Sequence, residues 1–273
     1  MGPRRRYLEL LKDALAYRLW PPAPSELGYF DRSGDAPERE DLRELDARLR
    51  GEGYAVMKLP DFTEEERDMG SVFPRHAVTM MGRKRLDNLQ KCVQSVLRDG
   101  VPGDLIETGV WRGGGCILMK AVLEMNGDTE RRVFVADSFE GLPPPEDRAP
   151  LDAQDRFHEF DFLRVSEEEV RANFRKFGLL DDRVVFLKGF FADTLPGAPI
   201  ERLSVLRLDG DMYASTIDAL EALYPKLQPG GYCIVDDWAL LPCAKAVIDY
   251  REAHGITEEI HQIDDIARYW RKA

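Results

Sequence analysis

Cysteine is scarce and unpatterned: the four present, Cys92, Cys116, Cys233 and Cys243, contain no Cys-x-x-Cys pair. That spacing argues against a zinc site or a disulfide framework and predicts buried, reduced thiols. No apolar run approaches the ~20 residues that a membrane-spanning helix needs. Lys12 and Asp13 also interrupt the amphipathic stretch behind Arg4-Arg5-Arg6, so that stretch lacks the core of a signal peptide. A cytoplasmic protein is expected. Positive charge is in deficit too, with 38 Lys and Arg against 50 Asp and Glu and a net charge of -12, which excludes unaided binding to nucleic acid or an anionic membrane. Internal repeats and low-complexity tracts are missing. So is the dinucleotide fingerprint Gly-x-Gly-x-x-Gly, because Gly109 is followed by Val110 and Trp111, and this weakens a nicotinamide reading.

At 273 residues the chain is long enough for one large α/β domain with an appendage. The most informative stretch is Leu203-Ser204-Val205-Leu206-Arg207-Leu208-Asp209-Gly210-Asp211, a mostly apolar run ending abruptly in carboxylates. It predicts a buried strand whose C-terminal tip opens onto a site. Ser215 with Asp218 predicts the cap of a following helix, which Pro229-Gly230-Gly231 would end. A second strand, Tyr232-Cys233-Ile234-Val235, then runs into Asp236-Asp237. Strands joined by a helix are parallel neighbours, so Asp209, Asp236 and Asp237 should meet at one sheet edge. Oxygen donors alone suit a hard divalent ion, Mg²⁺ before Ca²⁺. Acidic residues at strand ends are also common as solvated turn or cap residues.

Upstream, Asp104–Val110 reads as the first strand, Trp111-Arg112-Gly113-Gly114-Gly115 as a glycine-rich turn, and Cys116–Met125 as a helix. Strand, turn and helix together make a nucleotide-cofactor loop, in which the helix start offers free N–H groups. Arg132–Ser138 is the second strand and ends in Asp137, where such folds hold a ribose diol. Between residues 141 and 165 the periodicity fails around Pro143-Pro144-Pro145, and a mobile lid containing His158 is expected. Ser166 and Glu169 predict a capping box, Val184–Gly189 a third strand, and Phe190-Phe191 an aromatic surface for adenine or ordinary core packing. Ile260 and Ile263, with Ile266–Trp270, predict a closing hairpin. His254 suits a helix C-terminus. Residues 1–75 differ in texture, with an apolar helical pattern from Tyr7 to Ala14, the break Pro21-Pro22-Ala23-Pro24 and a charged segment from Arg32 to Arg50; they form an extension that either caps the site or pairs subunits.

Thr79-Met80-Met81-Gly82, Glu107-Thr108-Gly109-Val110-Trp111-Arg112-Gly113-Gly114, Ala136-Asp137-Ser138-Phe139, Gly178-Leu179-Leu180-Asp181-Asp182 and Leu206-Arg207-Leu208-Asp209-Gly210-Asp211 resemble the macrocin O-methyltransferase family from about Phe73 to Trp270. The resemblance implies an α/β fold of the class I S-adenosylmethionine-dependent methyltransferase type. This is a Rossmann-like, seven-stranded, mostly parallel sheet with a C-terminal antiparallel hairpin over residues 76–273, plus the helical N-terminal extension. It implies S-adenosylmethionine as methyl donor, Mg²⁺ at the strand tips and a deoxysugar hydroxyl of a glycosylated natural product as acceptor. A homo-oligomer, dimer or tetramer, is also implied. Carried over by position, Asp209, Asp236 and Asp237 become metal ligands, and Asp137 takes the ribose with Ser138 beside it. Thr79, Met80, Glu107, Gly109 and Gly113 line the methionine end. Thr108, Phe191 and Asp209 are further candidate cofactor contacts. Catechol methyltransferases are similar in their three ligands but have a lysine three residues after the first acid, where this chain has Met212. Asp209 is then the first choice of base, doubling as ligand, and His158 the second. A catechol or phenolic methyltransferase and a catalytically silent cofactor-binding scaffold are the rival readings.

Overall fold

The computed structural model describes residues 2–27, 29 and 39–273, and the chain divides into two compact units, Met1–Lys84 and Arg85–Ala273. In the first unit the amphipathic stretch forms helix Pro3–Leu15, with Leu8, Leu11 and Leu15 buried along one face. Residues 32–38 of the expected charged segment lie outside the described residues; its remainder contains helix Glu40–Arg50. Glu64-Glu65-Glu66-Arg67 opens helix Glu64–Met69 through a complete capping box, in which the Thr63 hydroxyl accepts from Glu66 N–H and the Glu66 carboxylate accepts from Thr63 N–H. A short antiparallel ribbon pairs Ser25–Glu26 with Met57–Lys58.

The second unit is built on seven strands: β1 Asp104–Thr108, β2 Val133–Asp137, β3 Val184–Lys188, β4 Leu203–Leu208, β5 Leu227–Val235, β6 His261–Gln262 and β7 Arg268–Arg271. Their order in the sheet is β3-β2-β1-β4-β5-β7-β6. The first five run parallel, and β7 pairs antiparallel with both β5 and β6, giving the expected closing hairpin. Strands β1, β2 and β4 are almost wholly buried because helices cover both faces of a parallel sheet, which is why they read as continuous apolar runs. Strand order reverses between β1 and β4, and in open α/β sheets the crevice beyond the C-terminal ends at that reversal is where ligands bind. Helix α1 Arg83–Arg98 precedes β1, and the helices between the strands are α2 Gly114–Met125, α3 Glu167–Lys176, α4 Tyr213–Leu223 and α5 Leu241–Ala253. All four cysteines are buried and free, as their spacing predicts.

Three local expectations need correction. Helix α4 begins at Tyr213, not after Ser215, because a remote carboxylate caps it: Asp152, fully buried, accepts from the N–H groups of Tyr213 at 2.8 Å and Ala214 at 2.9 Å. The same helix stops at Leu223, and the next turn contains Pro225, which has no N–H for a helical bond. Pro229-Gly230-Gly231 is therefore part of β5, bent where its register with β4 shifts. At α3, Ser166 accepts from Glu169 N–H, but the return half of the box is not formed and the Glu169 carboxylate faces the Arg112 guanidinium at 3.8 Å.

One glycine sets how closely the central strand tips approach. Gly109 has φ +84°, and a Cβ placed there would lie 1.7 Å from the Asp209 carbonyl oxygen. The backbone ladder continues beyond the strands at this point, with Asp209 N–H donating to Thr108 O and Gly109 N–H to Ala136 O, both at 2.9 Å. Gly109→Ala is therefore expected to force β1 and β4 apart and to cost about 4 kcal/mol or more, read as the loss of folded protein in a urea titration followed by circular dichroism.

Candidate active site

Asp209, Asp236 and Asp237 converge. One carboxylate oxygen from each lies within 4.8 Å of the others, and among the described residues no second group of three potential ligands does so. Parallel pairing explains the meeting: Leu208 stands opposite Val235, so the residues that follow emerge side by side. Asp236 N–H donates to Leu208 O at 2.9 Å, and Asp237 Oδ2 accepts from Asp211 N–H at 3.0 Å.

Two guanidinium groups missed in the sequence lie under this cluster. Arg207 is 1% exposed in the middle of β4. Side chains two apart on a strand share a face, so Arg207 reaches Asp209 Oδ2 at 2.6 Å. Its register partner on β1 is Glu107, which it contacts through the same Nη1, while Nη2 lies 2.6 Å from Asp236 Oδ1. Arg85 on α1 meets the other oxygen of Asp236 and, at 3.3 Å, Asp264. The signal was present, since a lone arginine two residues before an acid in an apolar run is costly to bury unpaired.

The charge states follow from this arrangement. Burial alone would raise Asp236, but Arg207 and Arg85 outweigh it and hold its carboxyl below the usual value. Asp209 is raised, because burial and the charge of Asp236 exceed the pull of Arg207. Asp237 is pushed far up by burial and by the charges of Asp211, Asp209 and Asp236. Asp211, raised to about 8 by burial and the charges of Asp209, Asp155 and Asp236, shares a side-chain hydrogen bond with Asp237. Asp211 is also a non-glycine residue at φ 57°, as are Trp111 at 46° and Phe139 at 58° just past β1 and β2. Three strained residues at adjacent strand tips mark a functional edge. An oxygen-only donor set of three clustered carboxylates is the kind that holds a hard divalent cation.

Next to this cluster, β1 leads through Gly109 into the turn, and Gly113, at φ +87°, precedes α2. Glu107 is buried, accepts from the Cys116 thiol at 2.9 Å and is pushed up to about 7 by burial. Thr108 gives its carbonyl to the Asp209 N–H. Asp137 accepts from Val110 N–H and Phe139 N–H, both at 2.8 Å, so it braces two tips. Ser138 donates to Gly141 O at 2.6 Å. Phe191 opens a single helical turn and packs its ring against Gly210, so it touches the acidic tip. Thr79 and Met80 belong to the first unit, where the Thr79 hydroxyl accepts from Met81 N–H at 3.1 Å. His254 caps α5, with its Nδ1 2.8 Å from Tyr250 O.

The expected lid, residues 141–165, forms three 3₁₀ turns, Pro150–Asp152, Phe157–Glu159 and Asp161–Leu163. It is held at three points: Asp152 caps α4, Arg148 pairs with Asp218 at 2.6 Å, and Phe162 O accepts from Trp111 Nε1 at 2.9 Å. His158 stands in the second turn, 4.0 Å from Glu159, with its Nδ1 buried and unpartnered among the described residues.

Glu107 supplies a stability test. Its carboxyl titrates near 7 in the fold against 4.5 in the open chain, so the folded state holds the extra proton between those values. Stability should fall as pH rises from about 4.5 to about 7, and Glu107→Gln should flatten that slope in urea titrations at stepped pH.

Known proteins resemble this chain over almost its whole length. A family model described as macrocin-O-methyltransferase (TylF) matches residues 4–272. A Streptomyces olivaceus protein, 8-demethyl-8-(2,3-dimethoxy-alpha-L-rhamnosyl)-tetracenomycin-C 4'-O-methyltransferase, is 50% identical over 98% of this chain and 93% of its own. Mycinamicin III 3''-O-methyltransferase of Micromonospora griseorubida is 50% identical over 78% of this chain and 85% of its own. Among solved structures, the O-methyltransferase NovP superposes with a TM-score of 0.83 at 42% identity, covering 99% of both chains. Among the described residues no helix is long and apolar enough to cross a membrane. The chain belongs to the macrocin O-methyltransferase family and is an S-adenosylmethionine-dependent O-methyltransferase.

Proposed function

We propose that the protein transfers a methyl group to a deoxysugar hydroxyl of a glycosylated natural product, with a divalent cation, Mg²⁺ first, held by Asp209, Asp236 and Asp237. The observation that carries this reading is the convergence of those three carboxylates beside the β1 turn. The names of the two curated relatives, both O-methyltransferases, one of a rhamnosyl tetracenomycin and the other of mycinamicin III, support the acceptor class. Asp209, Asp236 and Asp237 would hold the cation, which when bound would supply Lewis-acid chemistry that lowers the pKa of the acceptor hydroxyl.

The chain's own residues then have two tasks. Glu107, Thr108, Gly109, Gly113, Asp137, Ser138 and Phe191 are proposed to seat the donor along the β1 turn and the β2 tip, with Asp137 on the ribose diol. The second task is proton removal: as the hydroxyl oxygen forms its bond to the methyl carbon, the sulfonium sulfur keeps the electron pair, and a base must take the proton. Asp209 has one oxygen bonded to Arg207. Asp211, held in a strained conformation on the same tip, is the better acceptor, and His158 is the alternative on the loop. Met212, 1% exposed, offers no base where catechol enzymes place lysine.

Mass-spectrometric screening with donor, Mg²⁺ and a panel of glycosides is expected to reveal methylation of a sugar. Exhaustive chelation should abolish turnover, and Asp237→Asn should lower it by at least the ~10–100-fold typical of residues that merely support ligands. Undiminished activity after metal removal would refute the chelate reading, and methylation of aromatic diols alone would refute the acceptor class. Asp211→Asn is expected to lower kcat about 100-fold or more, within the range of general-base losses, with donor affinity unchanged. A larger loss from His158→Ala than from Asp211→Asn would move the base to the loop.

A further inference from the structure

Arg207 does more than fill a buried position. Its guanidinium touches carboxylates from three places in the sheet: Glu107 on β1, Asp209 beyond β4 and Asp236 beyond β5. Two of these three are proposed ligands, and Arg85 meets the remaining oxygen of Asp236. The third ligand, Asp237, accepts from the backbone N–H of Asp211. Positive charge is thus already built in beside two of the three ligands.

Resting on the metal reading above, we infer that Arg207 is a positioning residue that acts as a resident counter-cation. It holds Asp209 and Asp236 together in the cation-free protein, and it competes with an incoming divalent ion for the same oxygens. A guanidinium suits this task because its planar fork keeps several donors at fixed angles and its charge is never lost. Competition limits affinity, since each ligand oxygen turned toward the ion gives up part of its bond to Arg207. The contact with Glu107 shares Nη1 with the contact to Asp209. Drawing Asp209 toward an ion therefore leaves that donor to Glu107, so the acid expected at the methionine end gains charge compensation as the ion binds.

The test measures Mn²⁺ affinity of the full chain by electron paramagnetic resonance, without turnover. Arg207→Met removes the competing charge and is expected to tighten Mn²⁺ binding about tenfold or more. Arg207→Lys keeps the charge and should stay within about threefold of the parent. Arg85→Met, which frees one oxygen of Asp236, should also tighten binding. Arg132→Met, which removes the 2.9 Å pair with Asp104 at the opposite sheet edge, should leave it unchanged. If Arg207→Met folds only when Mn²⁺ is present, the ion has taken over the role of the arginine and the inference stands; if it folds under neither condition, Arg85→Met decides. A parent protein that binds no Mn²⁺ would overturn the metal reading itself. A parent that binds, with the Arg207→Met and Arg85→Met variants unchanged or weaker, would overturn the counter-cation role alone.

Discussion

Burying carboxylates is the constraint that shapes this molecule. Glu107, Asp236 and Asp264 are each at most 4% exposed, a density of negative charge that no fold tolerates unpaired. Arg207 and Arg85 make it tolerable, and both must be placed to within hydrogen-bonding reach. Parallel pairing achieves that placement without loops, because register sets Arg207 opposite Glu107 and strand periodicity sets it beneath Asp209. Breaking such a buried pair by removing one partner typically costs about 3–5 kcal/mol, so the apolar layers around it must supply the difference. They do so with large, fully buried side chains on the neighbouring strands, including Ile106, Phe134, Leu206 and Val235.

The same layers support strain at the strand tips. Trp111, Phe139 and Asp211 occupy left-handed backbone conformations, each costing about 1–3 kcal/mol. Their neighbours over-determine them: Asp137 accepts from the N–H groups of Val110 and Phe139, and Asp237 accepts from that of Asp211. A carboxylate at one tip therefore fixes the backbone of the next. Asp137 and Asp237 do structural work before any ligand arrives, and a ligand that contacts them meets a geometry already set.

Much of this was legible in the sequence because it follows from local periodicity. The run from Leu203 to Asp209, the pair of acids after Val235 and the glycine-rich turn after Thr108 each announce a buried strand with a functional tip. What was not legible depends on partners distant in the chain. Ser215 carries the local signature of a cap, yet Asp152, 62 residues before Ala214, satisfies the start of α4. Glu169 has the spacing of a capping box, yet its carboxylate faces Arg112. Arg207 is visible to anyone reading the strand, but its meaning appears only when Glu107 and Asp236 stand on either side.

The loop from 141 to 165 shows how these levels connect. An irregular segment of that length reads as mobile, since nothing in it repeats. Its buried acid Asp152 nonetheless closes the N-terminus of α4, the helix that begins directly after the acidic tip, and Phe162 receives the indole N–H of Trp111 from the glycine-rich turn. The loop is thus fastened at one point to the helix that follows Asp209 and Asp211, and at another to the turn that follows Glu107. Residues between those anchors, such as Phe157 and His158, can differ in shape and polarity without disturbing either tip, because the anchors use a carboxylate and a backbone carbonyl. Acceptor choice placed there would be separable from the chemistry, which stays with the strands.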